Sequence, residues 1–474
     1  MKCSSLGDGR RIHCGPVLLA ILMIGFVAPF VLTAQEPHTH RPPPDRNQSV
    51  DGEELQHQPL DSLLALVLAT HPDVQGAQSR AQALESRVPQ AGALPDPTFS
   101  FGLMNLPLPD LDLTGEGMSM VSLQLSQTLP PRGLRGAREA SARAQVDVAR
   151  AQVDVARWQV TTRLQEAYFE LLLVDQALEV HHQAHSTLEA FASSAESAYT
   201  QGLAPQQDIL RAHTELAAIE EHLAELRQRR SVALAEANSL LGRNSRDPIQ
   251  PDLPSWVEGF LAADPGPGVL TSVLTNPELG GGLPTLRELQ EMAIRHRPEL
   301  TVAREGVQVA QRELEVARHD RRPGIAVTGG YGIRSGRADV FSAGLSVDLP
   351  LFRGRKQDEA IREAEFNRDA QGLDVAALER SIQEEVARAH ADLIRAREQV
   401  ILLEEGVIPQ ARAAVESSAA SYRAGEAAFV SLMEVYAVLF RNEIELAHLT
   451  AGLGQDIARL EQAVGTHVVS EDNR

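Results

Sequence analysis

Three histidines in one predicted helix have a spacing that a metal ion could use. His181 and His185 are one helical turn apart, and His182 lies beside them. Two imidazoles at this spacing on one helix face can ligate a cation. On a helix with exposed faces, solvated histidines are the simpler interpretation. His181 and His185 are therefore the metal candidates of this chain, and we predict that they hold no metal.

The remaining chemistry-bearing residues form no pattern typical of an enzyme. We find no Ser-His-Asp arrangement and no Gly-rich phosphate loop in the sequence. Both cysteines, Cys3 and Cys14, lie before or at the edge of an N-terminal apolar run, so the mature chain has no thiol. The net charge of −20 argues against nucleic acid as a partner. We expect no catalysis, no cofactor and no nucleic-acid binding.

The N-terminus has the pattern of a cleaved export signal. Residues 1–34 combine a basic start, an apolar core and a small-residue exit at Thr33-Ala34. The alternative is a retained membrane anchor, but the apolar run is shorter than the roughly 20 residues that a spanning helix needs. Residues 35–58 are polar, rich in Pro and His, and predicted to be disordered. These features indicate an exported protein.

The rest of the chain consists of two copies of one internal repeat. Pro72 corresponds to Pro298 and Pro97 to Pro323 at one constant offset. Each copy has the order helix, strand, strand, very long helix, turn, helix. The copies are predicted at residues 59–244 and 284–464, joined by a Pro- and Gly-rich linker at 245–283 that should form an irregular collar, with a tail at 465–474.

Each copy contains two strand patterns of about ten residues, the length that crosses a bilayer when tilted. Apolar and small polar residues alternate along them, at about 98–107, 118–129, 324–334 and 339–350. A soluble hairpin is the alternative for one such pair, and two pairs in an exported chain favour a membrane barrel. Single-chain barrels have at least about eight strands. The wall must therefore be completed by other copies of the chain.

The long helices are predicted at about residues 135–200 and 355–424. Some 65 helical residues extend over roughly 100 Å. In the first, a repeated heptad places Val146, Val153 and Val160 on one seam and Val148 and Val155 nearly opposite. A helix that is apolar on two opposite faces has neighbours on both sides, whereas a dimeric coiled coil would need one seam.

Glycines end both long helices. Gly202 and Gly425 each follow a tyrosine by three residues, and glycine suits the left-handed cap that reverses a helix. The helices that flank each long one are about half its length, at about 59–88 and 206–241 in the first copy and 284–318 and 428–463 in the second. One of each, placed end to end, would match the long helix. The fold class predicted is mainly α with a small β part.

With these features the sequence resembles the TolC-like outer-membrane efflux channels over essentially all of the mature chain. The resemblance rests on the duplication, LPDP at 94–97, the LP-x-RG transition at 129–133 and 349–354, and the two Tyr-x-x-Gly turns. It implies a trimer with a twelve-stranded outer-membrane β-barrel continuous with a periplasmic α-helical barrel. It also implies docking to a periplasmic adaptor and, through it, to an inner-membrane pump. The stretch at 94–107 is most similar to the branch that works with heavy-metal pumps of the RND type.

The resemblance also implies functional residues at the helix turns. Asp208, Tyr422 and Glu434 match gate or constriction positions of the family. Three copies of each acid on one axis would form a negative ring that favours cations. Two departures suggest a simpler network, since Ala427 replaces a basic residue and Ser431 a second acid. Adaptor docking is expected at the tips of the turns, on Gly202, Leu203, Gly425 and Glu426.

The expected function is passive conduction of heavy-metal cations across the outer membrane of a Gram-negative bacterium, in contact with its lipid. A drug-efflux or type I secretion channel of the same fold is the alternative. From a different class, a periplasmic coiled-coil adaptor or scaffold remains open. Adaptors carry one helical hairpin between two halves of a small β-domain, and this chain has two hairpins and no such domain.

Overall fold

A computed structural model describes residues 59–105, 118–262 and 283–469 of the chain. The predicted signal (1–34) and polar lead (35–58) lie outside the described residues. So do residues 106–107 of the first predicted strand, most of the predicted linker and the end of the predicted tail.

Each repeat has the predicted order of elements. The first consists of α1 (Leu60–Thr70), α2 (Pro72–Gly92), β1 (Thr98–Met104), β2 (Met120–Leu129), α3 (Leu134–Thr200) and α4 (Gln206–Leu241), followed by α5 (Ser255–Ala262). The second consists of α6 (Leu286–His296), α7 (Pro298–Asp320), β3 (Ile325–Ile333), β4 (Val340–Val347), α8 (Gln357–Ile401), a π-helical segment (Leu402–Val407), α9 (Ile408–Arg423) and α10 (Phe429–Val464). The chain is mainly helical, duplicated and contains two β-hairpins. The fold class predicted from the sequence is confirmed.

The helix that precedes each hairpin is broken in two, where the sequence predicted one helix. The breaks fall at His71 and Arg297, which have extended backbones with ψ of 130° and 119°. Each residue precedes a proline, which disfavours the helical conformation of its neighbour and then starts the next helix. The predicted single helices at 59–88 and 284–318 are therefore wrong in this detail.

The second long helix is not regular throughout, in contrast to the prediction for 355–424. Its π-helical segment, Leu402–Val407, contains no buried residue and is followed by Pro409 in the first turn of α9. Proline has no N–H to continue the α-helical ladder, and π turns accommodate such interruptions. The equivalent stretch of α3 is an unbroken α-helix.

The predicted collar is not wholly irregular either. Within it, α5 buries Trp256, Val257 and Phe260. The guanidinium of Arg397 lies over the Phe260 ring, 5.2 Å from its centroid, and donates to the Phe260 carbonyl at 3.1 Å. The prediction from the sequence missed this short amphipathic helix, because the residues around it are rich in Pro and Gly.

The four strands form one antiparallel sheet in the order β1-β2-β3-β4. Phe101 is in register with Leu123, Leu123 with Tyr331, and Tyr331 with Phe341. On the opposite face Ser122 is in register with Gly102 and Gly332. The fourth strand ends at Val347 rather than near 350, because Pro350 and the turn after it leave the ladder. The sheet thus has one apolar and one small polar face.

Helix α3 is the central element of the helical part. It packs against α2 and α4 of its own repeat and against α7 and α10 of the other. Val146, Val153 and Val160 are buried, while Val148 and Val155 are half-buried. The first predicted seam of α3 is therefore buried against neighbouring helices, and the second is partly covered.

Three apolar clusters hold the described helices together, the smallest of them between α2 and α3. The waist cluster gathers buried residues of α1, α3, α5, α6, α8 and α10, with Phe169, Trp256 and Leu289 among them. The turn cluster lies nearer the ends of the long helices and includes Leu188, Phe429 and Tyr436. The π-helical segment lies between them in the chain, since Ala396 belongs to the waist cluster and Ile408 to the turn cluster.

Candidate functional site at the helix turns

The two helix turns have the same backbone design. Gly202 and Gly425 have φ of +72° and +76°, a left-handed conformation that side chains strain. The amide of Leu203 donates to the Ala198 carbonyl at 2.8 Å, and the amide of Glu426 to the Ser421 carbonyl at 2.9 Å. This hydrogen bond back across the glycine is the Schellman pattern of helix termination.

The tips of both turns are accessible to a partner protein. Leu203 exposes 78% of its surface, although it is apolar. Gly202, Gly425 and Glu426 are also exposed. The four residues that the sequence assigned to adaptor docking therefore lie at the surface of one protomer, and their role stays a prediction.

Asp208 lies in the first turn of α4 and is buried, with 8% of its surface exposed. Burial raises the pKa of the Asp208 carboxyl above its ordinary value, while the positive charge of Arg211 opposes this shift. Removing a carboxylate from water disfavours its charged form. A buried acid at the entrance to the turns can thus respond to pH.

Tyr422 comes from the other repeat and lies close to Asp208. Burial, and after it the charge of Asp208, raises the pKa of the Tyr422 hydroxyl. Its ring contacts that of Phe429, with centroids 5.3 Å apart. The hydroxyl is buried and has no hydrogen-bond partner within the described residues of one protomer. A buried hydroxyl without a partner is costly, so this oxygen calls for a donor or acceptor from outside the protomer.

Glu434 is not part of this pair within one protomer. It is exposed on α10, whereas its neighbours Leu432 and Met433 are buried. Ser431, where the resemblance suggested a second acid, is likewise exposed. The structure therefore brings Asp208 and Tyr422 together and leaves Glu434 on an open helix face.

The prediction from the sequence missed Tyr436, an aromatic residue of the turn cluster. The Tyr436 hydroxyl donates to the Ala184 carbonyl at 3.2 Å, and its ring contacts Phe191 at 5.5 Å between centroids. Burial raises the pKa of Tyr436 to about 12, so it stays neutral. Helical periodicity in α10 could have found this residue, because Phe429, Leu432 and Tyr436 recur on one face.

His181 and His185, the two metal candidates, both contact other residues of the protein. His181 is buried, its Nδ1 lies 2.7 Å from the Ala177 carbonyl oxygen, and its ring contacts Phe440. Burial lowers the pKa of His181. His185 lies 3.6 Å from a carboxylate oxygen of Glu220. Over residues 59–105, 118–262 and 283–469, no group of three or more His, Cys, Asp or Glu residues is placed to hold a metal ion.

Solved structures show which class of protein has this fold. The chain superimposes on the outer-membrane channel OprN with a TM-score of 0.68, at 19% identity, over 87% of this chain and 91% of OprN. CusC, solved in a study of transmembrane channel formation, gives a TM-score of 0.71 at 14% identity, over 88% of this chain and 96% of CusC. The fold of the chain is the one that these channels have.

The sequence itself gives the family. The profile of the outer membrane efflux protein family matches residues 63–243 and 289–466, one match for each repeat. This chain belongs to that family. Protein CyaE of Bordetella pertussis is 28% identical over 289 residues, which cover 59% of this chain and 56% of CyaE. The chain thus matches little more than half the length of this relative.

Helices of the described part do not provide a membrane span. None of them combines the length and the apolar character that crossing a bilayer requires.

Proposed function

We propose that this protein is the outer-membrane component of a tripartite efflux system and passively conducts heavy-metal cations to the exterior. In this proposal three copies form the channel, the turns dock to a periplasmic adaptor, and the pump in the inner membrane is of the RND type. The observation that carries the proposal is the sheet, whose two faces differ sharply in polarity.

The apolar face of the sheet is exposed in a single protomer. Phe99, Phe101, Phe341 and Leu345 each expose between 65% and 74% of their surface. A soluble protein rarely leaves such a contiguous apolar surface in water. Strands of seven to ten residues match the apolar band of outer-membrane barrels, which is about 25 Å tall. Lipid is the environment that fits this face.

The opposite face suits the inside of a channel. Along most of its length it presents serine, threonine and glutamine side chains, with Met104, Met120 and Val340 at one end; the polar residues are Thr98, Ser100, Ser122, Gln124, Ser126, Thr328, Ser342 and Ser346. Small hydroxyl groups leave room for water and ions. The alternation of apolar and small polar residues therefore supports an aqueous lumen bounded by a lipid-facing surface.

The open edges of the sheet support closure by further copies. β1 and β4 each pair on one side only, and unpaired backbone groups are not tolerated in lipid. Because the two edges are different surfaces, contact between copies is head to tail and closes into a ring. Three copies of four strands give the twelve strands that the resemblance implies.

The acids and the tyrosine at the turns support a gate. Asp208 is buried and close to Tyr422, and the Tyr422 hydroxyl has no partner within the protomer. In a ring of copies, the turns of neighbouring protomers can supply that partner. Glu434, exposed on α10, would add a further carboxylate per copy to the lumen. Rings of carboxylates favour cations over anions.

Heavy-metal cargo is supported by the stretch at 94–107 and by the acidic gate residues. Drug efflux or protein secretion through the same fold is the alternative, and substrate choice in such systems belongs largely to the pump. The periplasmic adaptor or scaffold is not retained, because the chain belongs to the outer membrane efflux protein family.

The proposal is tested on the mature protein extracted from outer membranes in mild detergent. A trimer that conducts ions in planar bilayers is expected, with cation preference reduced in the Asp208→Ala, Glu434→Ala double variant. A soluble monomer without conductance would overturn the channel. Cargo is tested in a strain that lacks the gene, where greater sensitivity to heavy-metal salts is expected. Greater sensitivity to drugs alone would favour the alternative cargo.

A further inference from the structure

We propose that residues 349–356, which join β4 to α8, form a binding site for anionic glycerophospholipid at the periplasmic surface of the membrane. The segment reads Leu-Pro-Leu-Phe-Arg-Gly-Arg-Lys and is called the junction segment below. In this inference its apolar side chains insert between acyl chains and its cations bind lipid phosphates. It rests on the proposed placement of the sheet in the outer membrane.

The junction segment begins where the sheet ends. Leu129, Ile325 and Val347 are in register across three strands and mark one level of the sheet. All three belong to the exposed apolar face. The chain then continues into the helical part through the junction segment. If the apolar face contacts acyl chains, the residues directly after Val347 lie at the depth of the headgroups.

The apolar side chains of the junction segment are open to the surroundings. Leu351 and Phe352 expose 80% and 78% of their surfaces, and Leu349 exposes 67%. These are among the most exposed large apolar residues in the described chain, and they follow the end of β4 at Val347 directly in the sequence. Aromatic and aliphatic side chains at such a position favour the boundary between acyl chains and headgroups.

The cations of the junction segment are free to bind an external anion. Arg353, Arg355 and Lys356 are exposed, and none of them has an ion pair or side-chain hydrogen bond within the described residues. Three neighbouring cations without acidic partners are unusual in a chain whose net charge is −20. Phosphates of lipid headgroups supply the missing negative charge.

The backbone of the junction segment is fixed, so the site exists before lipid binds. The amides of Arg355 and Lys356 donate to the Phe352 carbonyl at 3.0 and 3.1 Å. The amide of Asp358 donates to the Arg353 carbonyl at 2.9 Å, which leads into α8. A turn held by these bonds presents its cations with little further ordering cost on binding.

Three other cations near this level are already engaged, whereas the exposed side chain of Arg132, like those of the junction segment, has no ion pair or side-chain hydrogen bond within the described residues. Arg321 pairs with Asp358 at 3.2 Å, and Arg322 donates to the Arg132 carbonyl at 2.9 Å. Arg135 donates to the Gly92 carbonyl at 2.8 Å. Of these three bonds, the one from Arg322 to Arg132 joins the two repeats, and the other two lie within one repeat each.

A neighbouring copy is the competing occupant of this surface. If β4 pairs with β1 of the next copy, the residues before Thr98 approach the junction segment, and Asp96 is the acid among them. Asp96 is one carboxylate against three cations, and Leu94, which exposes 42% of its surface, is the large apolar side chain that this part of the neighbouring copy brings. Charge and exposed area therefore both favour lipid.

The test compares two variants of the full mature protein that each lose three positive charges. The first is R353Q/R355Q/K356Q in the junction segment. The matched control is R380Q/R388Q/R441Q, whose residues are also exposed. Arg380 is the nearest of them, about 35 Å further along α8 at 1.5 Å per residue. This distance exceeds the screening length of about 10 Å at moderate salt.

Each trimer is placed in nanodiscs of phosphatidylethanolamine with or without phosphatidylglycerol. Bound lipid is counted by native mass spectrometry, and the thermal midpoint is recorded. We expect phosphatidylglycerol to be retained by the wild type and the control, and to raise their midpoints. The junction variant should lose at least tenfold in phosphatidylglycerol retention, since each cation contributes roughly fivefold at low salt.

Equal phosphatidylglycerol retention by the junction variant and the control would overturn the inference. Fewer trimers with unchanged lipid retention would identify the segment as a contact between copies and overturn it as well. If the triple variant does not assemble, the single variant R355Q gives the same comparison with a smaller loss. Failure of the wild type to form membrane trimers would instead contradict the proposed function.

Discussion

The ring of Phe169 on α3 occupies the space in front of the Cα of Gly454 on α10, so a Cβ at position 454 would overlap the ring. Phe169 is fully buried and meets Trp256 edge to face, with centroids 5.9 Å apart. Three elements from both repeats and the linker therefore meet at this point. The close approach of α3 and α10 at the waist depends on the absence of a side chain at Gly454.

Replacing Gly454 with alanine should lower the stability of the protein. The overlap with Phe169 costs about 1–3 kcal/mol as overpacking, which exceeds the gain of about 1 kcal/mol in helix propensity. Gly452 is the matched control, because no atom of another residue lies within 4 Å of a Cβ built there. In thermal denaturation followed by circular dichroism, Gly454→Ala should lower the midpoint and Gly452→Ala should leave it unchanged or raise it. Equal midpoints would contradict the packing at the waist.

The turns should close more firmly at acidic pH. Burial raises the pKa of Asp208 above its ordinary value, so the neutral acid is favoured in the packed arrangement of the turns, which the proposed gate takes as its closed state. That stabilisation is present at low pH and is lost as the pH rises through the raised pKa. Conductance in planar bilayers should therefore fall as the pH is lowered from 7 towards 4.

Asparagine at position 208 separates this effect from the other acids. Asp208→Asn mimics the protonated acid, so its conductance should change less between the two pH values. Glu434→Gln serves as the comparison, since Glu434 is exposed and its neutralisation removes charge without changing burial. A pH response that persists in Asp208→Asn and disappears in Glu434→Gln would assign the effect to Glu434.

The π-helical segment should open more easily than its counterpart in the first repeat. It buries no residue, whereas His181 and Ala184 are buried in the equivalent stretch of α3. Amides in such a segment exchange through low-energy local opening. Hydrogen exchange of residues 402–407 should be at least tenfold faster than that of residues 179–184. Similar protection in both stretches would show that the π-helical segment is as rigid as α3.

A charge on the apolar face of the sheet should block assembly in the membrane, and a charge on the other face should not. Leu345 and Ser346 are adjacent on β4 and face opposite sides. An arginine among lipid chains costs about 2–4 kcal/mol at mid-depth. Leu345→Arg should therefore reduce the amount of trimer extracted from outer membranes, and Ser346→Arg should preserve it. The reverse result would assign the lumen to the apolar face.

The regular elements could be predicted because their periodicity is local. The heptads of α3 and the alternation along β1 to β4 identify both element types without knowledge of their neighbours. The break at Pro72 was missed because the apolar period continues on either side of it, and proline is also accepted in the first turn of a helix. Because proline is accepted in the first turn of a helix, Pro409 did not indicate the π-helical segment before it.

The proximity of Asp208 to Tyr422 could not be derived from local patterns. The two residues belong to different repeats, and they come near each other at the turn cluster, which contains buried residues of both α4 and α9. The resemblance to the TolC-like channels pointed to Asp208 and Tyr422 as gate positions, which periodicity alone could not do. It did not supply the burial of Asp208 or the unpartnered hydroxyl of Tyr422, which depend on the side chains of this chain.

The open edges of the four-stranded sheet also constrain how the protein is made. In the proposed route to the outer membrane, each copy carries two unpaired strand edges and an apolar surface through an aqueous compartment, where both promote aggregation. Its helices find their packing partners within the same copy, in both repeats, whereas in the proposed assembly the outer strands pair fully only beside other copies. Each unassembled copy must therefore be protected from aggregation until it associates with other copies. The yield of assembled protein should then depend on the concentration of unassembled copies.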